Sequence, residues 1–188
     1  MIPGCKIKLL ITDFDGTLVD TFRANYMAYR KAFEETGLVL SETDYRCCFG
    51  YRFEKFMEVS GVTDERTATK IKELKSFYYP DYFKYLQVND VLLRLLLTFR
   101  KGGGKIAVAS TARRKNLDNV LRYIGVADDF DYILAGEDVE HGKPSPEIYE
   151  KVLSYFGMLP SEALIFEDSE IGIQSARNAG VNYVVITQ

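Results

Sequence analysis

Five short apolar runs, each separated from the next by helical material, constrain this chain more than any other feature. They are I-K-L-L-I-T at residues 7–12, K-I-A-V-A at 105–109, D-Y-I-L-A at 131–135, A-L-I-F at 163–166 and N-Y-V-V-I-T at 182–187. Runs of this length, rich in Ile, Leu and Val and bounded by turn residues, read as buried strands. Parallel strands need crossovers, and helical segments at 89–101, 113–124, about 146–156 and 169–179 supply them. The class is therefore α/β, with a five-stranded parallel sheet and helices on both faces.

Residues 20–86 break that alternation. Phe22, Tyr26, Tyr29, Ala32 and Phe33 recur at helical spacing before Gly37, a helix stop. From Ser41 to Leu86 the material is helical, with no convincing strand, and it holds Tyr78, Tyr79, Tyr82, Phe83 and Tyr85. Such aromatics read as helix-to-helix packing, and the charges at Glu65, Arg66, Lys70, Lys72, Glu73 and Lys75 as a solvated helix face. Later, Gly102–Gly104 with Lys105 resemble a phosphate loop only superficially. They precede a strand, and no Ser or Thr follows the lysine, so they read as a helix stop and turn. Pro146 suits the first position of the next helix, with Ser145 as its N-cap.

With 188 residues, 47% of them hydrophobic, the chain can bury a good core. The balance of 24 basic and 27 acidic residues gives a net charge of −3, which provides no footprint for a nucleic acid polymer or an anionic membrane. The expected ligand is small. No run approaches the length of a membrane span and the first residues lack a signal-peptide core, so a cytoplasmic location is expected. Cys5, Cys47 and Cys48 are odd in number and lack metal spacing, and read as reduced structural thiols.

Polar residues cluster where the runs end. Asp13 and Asp15 close the first, in D-F-D-G-T, and their spacing of two sends both carboxylates to one side while Phe14 points into the body. Ser110 and Thr111 follow the second, Lys143 sits in a loop after the third, and Glu167 with Asp168 end the fourth. A parallel sheet opens all carboxyl ends on one edge, where these groups can meet. Clustered carboxylates repel unless a cation joins them or one is protonated, and oxygen ligands beside a phosphate suit Mg²⁺. A lysine and a hydroxyl beside that cation bind anionic oxygens. Singly, each residue has a plainer reading: a turn cap for Asp13 or Asp15, an N-cap for Ser110, a surface lysine for Lys143, a capping pair for Glu167 and Asp168. His141 reads as an exposed loop residue. Arg113 and Arg114 read equally as phosphate contacts or helix-start surface residues.

These four segments, in this order, resemble the haloacid dehalogenase superfamily of phosphohydrolases. D-F-D-G-T-L-V-D matches its first motif, Ser110 in I-A-V-A-S the second, Lys143 in G-K-P-S-P-E-I-Y the third, and F-E-D-S-E-I-G-I-Q-S-A-R-N-A-G the fourth. The insertion is similar to the helical cap of the phosphoglycolate phosphatase and β-phosphoglucomutase branch. The resemblance implies a Rossmann-like core at 1–18 and 88–188 with an all-helical cap at 19–87. It implies Asp13 as nucleophile and Asp15 as general acid and base. Mg²⁺ would be held by Asp13, the backbone carbonyl of Asp15 and Asp168, with Glu167 close by or bound through water. Ser110 and Lys143 would hold the transferring phosphoryl group, with Thr111 and Arg113 as further phosphate contacts, and Thr17 would brace the loop.

The resemblance also orders the activities. Dehalogenases lack the second aspartate and phosphonate-cleaving relatives usually replace it, so Asp15 argues against both. β-Phosphoglucomutases usually carry a cap-hinge histidine where this chain has Asn25. The expected activity is therefore hydrolysis of a small phosphorylated metabolite, ahead of a sugar phosphomutase and of a non-catalytic binding protein. Relatives commonly add a helix and strand after the fifth strand, where this chain ends. The expected form is a monomer or weak homodimer, with that sheet edge exposed or covered by a partner.

Overall fold

A computed structural model describes residues 7–187 and resolves them into two compact units. Cys5 lies outside the described residues; Cys47 is exposed and Cys48 buried, both as free thiols. The first unit comprises the residues up to Val19 and from Val88 onward, and the second comprises Asp20–Gln87.

The first unit is built on five parallel strands, β1 (Leu9–Thr12), β4 (Lys105–Ala109), β5 (Tyr132–Leu134), β6 (Ala163–Glu167) and β7 (Asn182–Val185), in the order β5-β4-β1-β6-β7. Between β1 and β4 the chain runs through β2 (Val19–Asp20) and β3 (Gln87–Val88), which pair as a separate two-stranded ribbon too short to read from sequence. Helices α5 (Asp90–Lys101), α6 (Arg114–Tyr123), α7 (Glu147–Phe156) and α8 (Glu170–Asn178) form the crossovers. Leu9, Ile11, Ala107 and Ile165 pack on one side against Ile148, Tyr149 and Val152 of α7 and Ala176 of α8. The alternate residues Leu10, Ile106 and Val108 are buried as well, so both faces of the sheet are covered, as the near-continuous apolar strands require. At the β7 edge, Val184 and Val185 are exposed.

Strand register positions the site. Thr12 lies opposite both Val108 and Phe166, so the next residue on each strand, Asp13, Ala109 and Glu167, arrives level at one edge. The chain then turns sharply: the N–H groups of Leu18 and Val19 donate to the Phe14 carbonyl, and that of Gly16 to the Val19 carbonyl. Gly16 has φ +92°, and a Cβ there would fall 2.2 Å from Asp168 Oδ2, so only glycine fits. Phe14 is buried, as its alternation implies.

Helix α7 starts one residue later than its sequence suggests. Pro146 is the N-cap, because its carbonyl accepts the first helical bonds from Tyr149 and Glu150. Ser145 lies one residue before it, yet its Oγ accepts from the Glu147 N–H at 3.3 Å, the side-chain bond expected of a cap, while its carbonyl accepts from the Ser175 hydroxyl. Similarly, Arg113 is extended and α6 begins at Arg114.

The second unit contains α1 (Phe22–Glu35), α2 (Glu42–Cys48), α3 (Phe53–Val59), α4 (Glu65–Tyr78) and a 3₁₀ segment, Tyr79–Tyr85. Its core includes Phe33, Tyr45, Phe56, Met57 and Ile71, with Tyr29 edge-on to Phe56 at 4.9 Å. Lys75 departs from the expected solvated face. It is buried, its ammonium 3.6 Å from the centroid of the Tyr79 ring and 5.2 Å from that of Tyr29, an environment that lets a cation leave water.

Asn89 joins the first-motif loop to the helix that follows the second unit. Its side-chain oxygen caps α5 by accepting from Leu92 N–H, its Nδ2 donates to the Thr17 carbonyl at 3.4 Å, and its backbone N–H donates to the Leu18 carbonyl. Losing an N-cap costs about 1 kcal/mol. Asn89→Ala is expected to lower stability by about 1–2 kcal/mol in a denaturant melt, cap and loop bond together.

Candidate active site

Lys143 occupies the centre of the sheet edge. Its side chain is 2% exposed, and its ammonium lies 2.5 Å from Asp13 Oδ1 and 2.5 Å from Glu167 Oε1, and donates to the Ala109 carbonyl at 3.1 Å. One cation thus bridges the ends of β1, β4 and β6. The Lys143–Pro144 peptide is cis.

Glu167 is fully buried and heavily engaged. Oε1 also accepts from the Tyr149 hydroxyl at 2.9 Å, while Oε2 accepts from the N–H groups of Asp168 and Ser169 and from the Ser169 hydroxyl. Ser169 Oγ in turn caps α8 by accepting from Gly172 N–H. Asp168 is placed differently: Oδ1 accepts from Thr17 Oγ1 at 2.7 Å, and Oδ2 lies beside Gly16. Carboxylate oxygens of Asp13, Glu167 and Asp168 all come within 4.8 Å of one another, a group able to hold a metal ion.

The electrostatics follow from crowding. Burial pushes the Asp13 carboxyl well up, and Glu167 and Asp168 push it the same way against Lys143. Burial also raises Asp168, again with help from Glu167, while Thr17 opposes. Burial works against the Lys143 ammonium, but Asp13 and Glu167 outweigh it, and the lysine stays charged. For Glu167, burial is outweighed by the charge and hydrogen bond of Lys143, and the carboxyl is held below its usual range. With all three carboxylates ionised, one ammonium would leave two negative charges uncompensated, and the raised Asp13 and Asp168 carboxyls reflect that crowding. A divalent cation fits that deficit, and all-oxygen ligands fit a hard one.

The structure therefore brings together Asp13, Lys143, Glu167 and Asp168. Asp15 is partly buried in the turn, and its carboxylate is not part of the three-acid group. Ser110 is buried at the end of β4, one residue past the carbonyl that Lys143 contacts, with Oγ accepting from Ala112 N–H at 3.0 Å. Thr111 follows it. Arg113 forms an ion pair with Glu137, and Arg114 bonds to Asp138 and to the Ile133 carbonyl, so both arginines tie α6 to the segment after β5. His141 is exposed.

Tyr149, Ser169 and Gly172 were not legible as site residues. Helical spacing makes Tyr149 a core residue, and nothing local announces its hydroxyl contact. A Cβ on Gly172 would fall 1.8 Å from Glu167 Oε1, so the glycine makes room for that carboxylate. Nothing in the local sequence marks Glu147 either. It accepts from the N–H groups of Glu140 and His141 and pairs with Lys151, holding one side of the Lys143 loop. Asn178 and Ser175 hold the other side through the carbonyls of Pro144 and Ser145.

The carboxyl edge of the parallel sheet gathers an acidic cluster around one buried lysine, an arrangement able to hold a cation and an anion side by side. The haloacid dehalogenase-like hydrolase family matches residues 10–186, and the chain belongs to it. It is similar to the protein CbbY of Rhodobacter capsulatus, with 31% identity over 96% of this chain and 85% of that one. Against the phosphorylated carbohydrates phosphatase of Thermotoga maritima, identity is 31% over 95% of this chain and 84% of the relative. Among solved structures, β-phosphoglucomutase from Clostridium difficile superposes with a TM-score of 0.82 at 25% identity, covering 97% of this chain and 85% of that one.

Glu147 makes the loop's anchorage measurable. The Lys151 contact and the two backbone N–H bonds hold its carboxyl at about 2, below its ordinary value. A depressed carboxyl contributes stability that is complete above the unfolded value of about 4.3 and is lost as pH falls through the folded one. The melting-temperature gap between wild type and Glu147→Ala is therefore expected to be full at pH 7 and to narrow between about pH 4 and pH 2. A gap independent of pH across that window would contradict the anchorage.

Proposed function

We propose that the protein is a Mg²⁺-dependent phosphatase that hydrolyses the phosphate monoester of a small metabolite through an aspartyl phosphate on Asp13. The observation that carries this reading is a buried Asp13 held at 2.5 Å by Lys143 inside a three-acid group, with a second aspartate two residues on.

In this reading, an Asp13 oxygen attacks phosphorus and the ester P–O bond breaks, while the Asp15 carboxyl gives its proton to the departing oxygen. Asp15, now a carboxylate, takes a proton from water as that water attacks the aspartyl phosphate, which releases inorganic phosphate and restores Asp13. Asp13, Asp168 and the Asp15 carbonyl would hold Mg²⁺, which neutralises charge so that an anionic nucleophile and an anionic phosphate can approach. Lys143 and Ser110 hold phosphoryl oxygens. The Ser110 oxygen already accepts from Ala112 N–H, so its own proton is the one it offers. Thr111 follows at the same strand end, and a phosphate reaching Arg113 would compete with its Glu137 ion pair. Glu167 serves the lysine more than the metal, because both its oxygens are already engaged.

The Thermotoga relative's name supports phosphorylated carbohydrates as the first substrates to test. Hydrolysis is preferred over phosphoryl transfer between sugar positions because Asn25 replaces the titratable histidine of the mutases. Its amide is buried and donates to Thr21 Oγ1 at 3.0 Å. No described helix is long and apolar enough to cross a membrane. In the proposed reading the protein acts in the cytoplasm, as a monomer or weak homodimer.

Incubation with Mg²⁺ and a panel of sugar monophosphates is expected to release inorganic phosphate without building up an isomeric sugar phosphate. Asp13→Asn abolishes phosphoenzyme. Asp15→Asn retains Mg²⁺ binding and a burst of p-nitrophenol from p-nitrophenyl phosphate, but loses about 10²–10⁴-fold in rate on alkyl phosphates. Equal loss on both ester types would contradict the role of Asp15. Absence of turnover on every ester, with Asp13→Asn still binding the same ligands, would make the protein a binding protein.

A further inference from the structure

The Tyr149 hydroxyl donates to Glu167, a partner of the lysine that holds Asp13. We infer that Tyr149 is a positioning residue, whose hydroxyl divides Glu167 Oε1 between two donors and so leaves the Lys143 ammonium centred on Asp13. The inference rests on the phosphatase reading above.

Tyr149 is on the first turn of α7, 0% exposed, and its hydroxyl is 2.9 Å from Glu167 Oε1. The same oxygen is 2.5 Å from Lys143 Nζ. The Tyr149 ring also lies under that ammonium, its centroid 5.1 Å from Nζ. A phenol held in an apolar core keeps its proton and remains a donor.

Lys143 Nζ divides its attraction between Asp13 Oδ1 and Glu167 Oε1, at equal distances of 2.5 Å. A carboxylate oxygen with two donors polarises each less than an oxygen with one. Removing the hydroxyl leaves Lys143 as the only donor on Oε1 among the described residues, in a site where burial magnifies every electrostatic term. The ammonium is then drawn toward Glu167, and the contact to Asp13, where the phosphoryl group would reside, lengthens. The backbone N–H groups of Asp168 and Ser169 hold Oε2 throughout, so Glu167 itself cannot follow the lysine. The effect falls on Lys143.

The test is beryllofluoride with Mg²⁺, which mimics a phosphoryl group on an aspartate, read by ¹⁹F NMR and titration calorimetry on the full chain. Tyr149→Phe is expected to weaken beryllofluoride binding about 10-fold, in the range seen when hydrogen-bonding partners of site ligands are removed. It should also shift the fluorine resonance that reports on the Lys143 contact, and lower kcat more than KM. Val152→Ala, a buried truncation on the same helix outside the site, controls for loss of packing and should leave affinity and resonances unchanged. Should Tyr149→Phe fail to fold, 3-fluorotyrosine at 149 keeps ring and hydroxyl but strengthens the donor, and must shift the same fluorine resonance. Wild-type affinity and an unshifted spectrum in the Phe variant, or an unshifted spectrum with 3-fluorotyrosine, overturns the positioning role and leaves the phosphatase reading intact. A wild-type protein that does not bind beryllofluoride overturns the phosphatase reading and this inference together.

Discussion

A single buried ammonium holds the carboxyl edge of the sheet together. Lys143 touches Asp13 from β1, the Ala109 carbonyl from β4 and Glu167 from β6, and its side chain is almost fully removed from water. A charge in that position persists only with its partners in place, and removing one partner of a buried pair typically costs about 3–5 kcal/mol. The ammonium therefore couples strand register to chemistry. If β1 were displaced by one residue against β6, Asp13 and Glu167 would no longer arrive level, and Lys143 would lose one of them.

Glu167 and Asp168 are neighbours of the same charge with different surroundings, and backbone geometry separates them. Glu167 ends β6 and turns into the core beneath Lys143, where Tyr149 and the amides of Asp168 and Ser169, just before α8, consume its lone pairs. Asp168 follows the strand and turns toward the first-motif loop, where Thr17 binds one oxygen and the bare backbone of Gly16 admits the other. Two glycines make this separation possible: Gly172 leaves space for Glu167, and Gly16 leaves space for Asp168. The outcome is one carboxylate committed to the lysine and one facing Asp13, with the charge deficit a divalent cation would fill.

Much of this was legible because strand ends are written in the chain. Apolar runs that stop at Asp13, Ser110 and Glu167 mark where a parallel sheet opens, and a resemblance to known motifs at the same positions implies a chemistry for them. What escaped depends on tertiary contacts between residues of unremarkable local context. Tyr149 sits at a core position of an amphipathic helix, and only the fold brings its hydroxyl to Glu167. Lys75 sits among exposed charges in α4, yet the fold buries it with its ammonium over the rings of Tyr79 and Tyr29. Glu147 follows a Ser-Pro pair that reads as a helix start, and its carboxylate turns back to the Lys143 loop instead. Arg113 follows the second strand end as a phosphate contact would, yet in the fold it meets Glu137. Composition and spacing locate the charged groups without distinguishing which charge meets which.

The division of labour between the two acids is tested most directly by calorimetric titration of Mg²⁺ into the wild-type protein, Asp168→Asn and Glu167→Gln. The account predicts that Asp168→Asn loses Mg²⁺ binding, because that residue would contribute a ligand oxygen. Glu167→Gln should retain it within about 10-fold, the scale of losses when a partner of a ligand is removed. Equal loss in the two variants, or loss confined to Glu167→Gln, would contradict it.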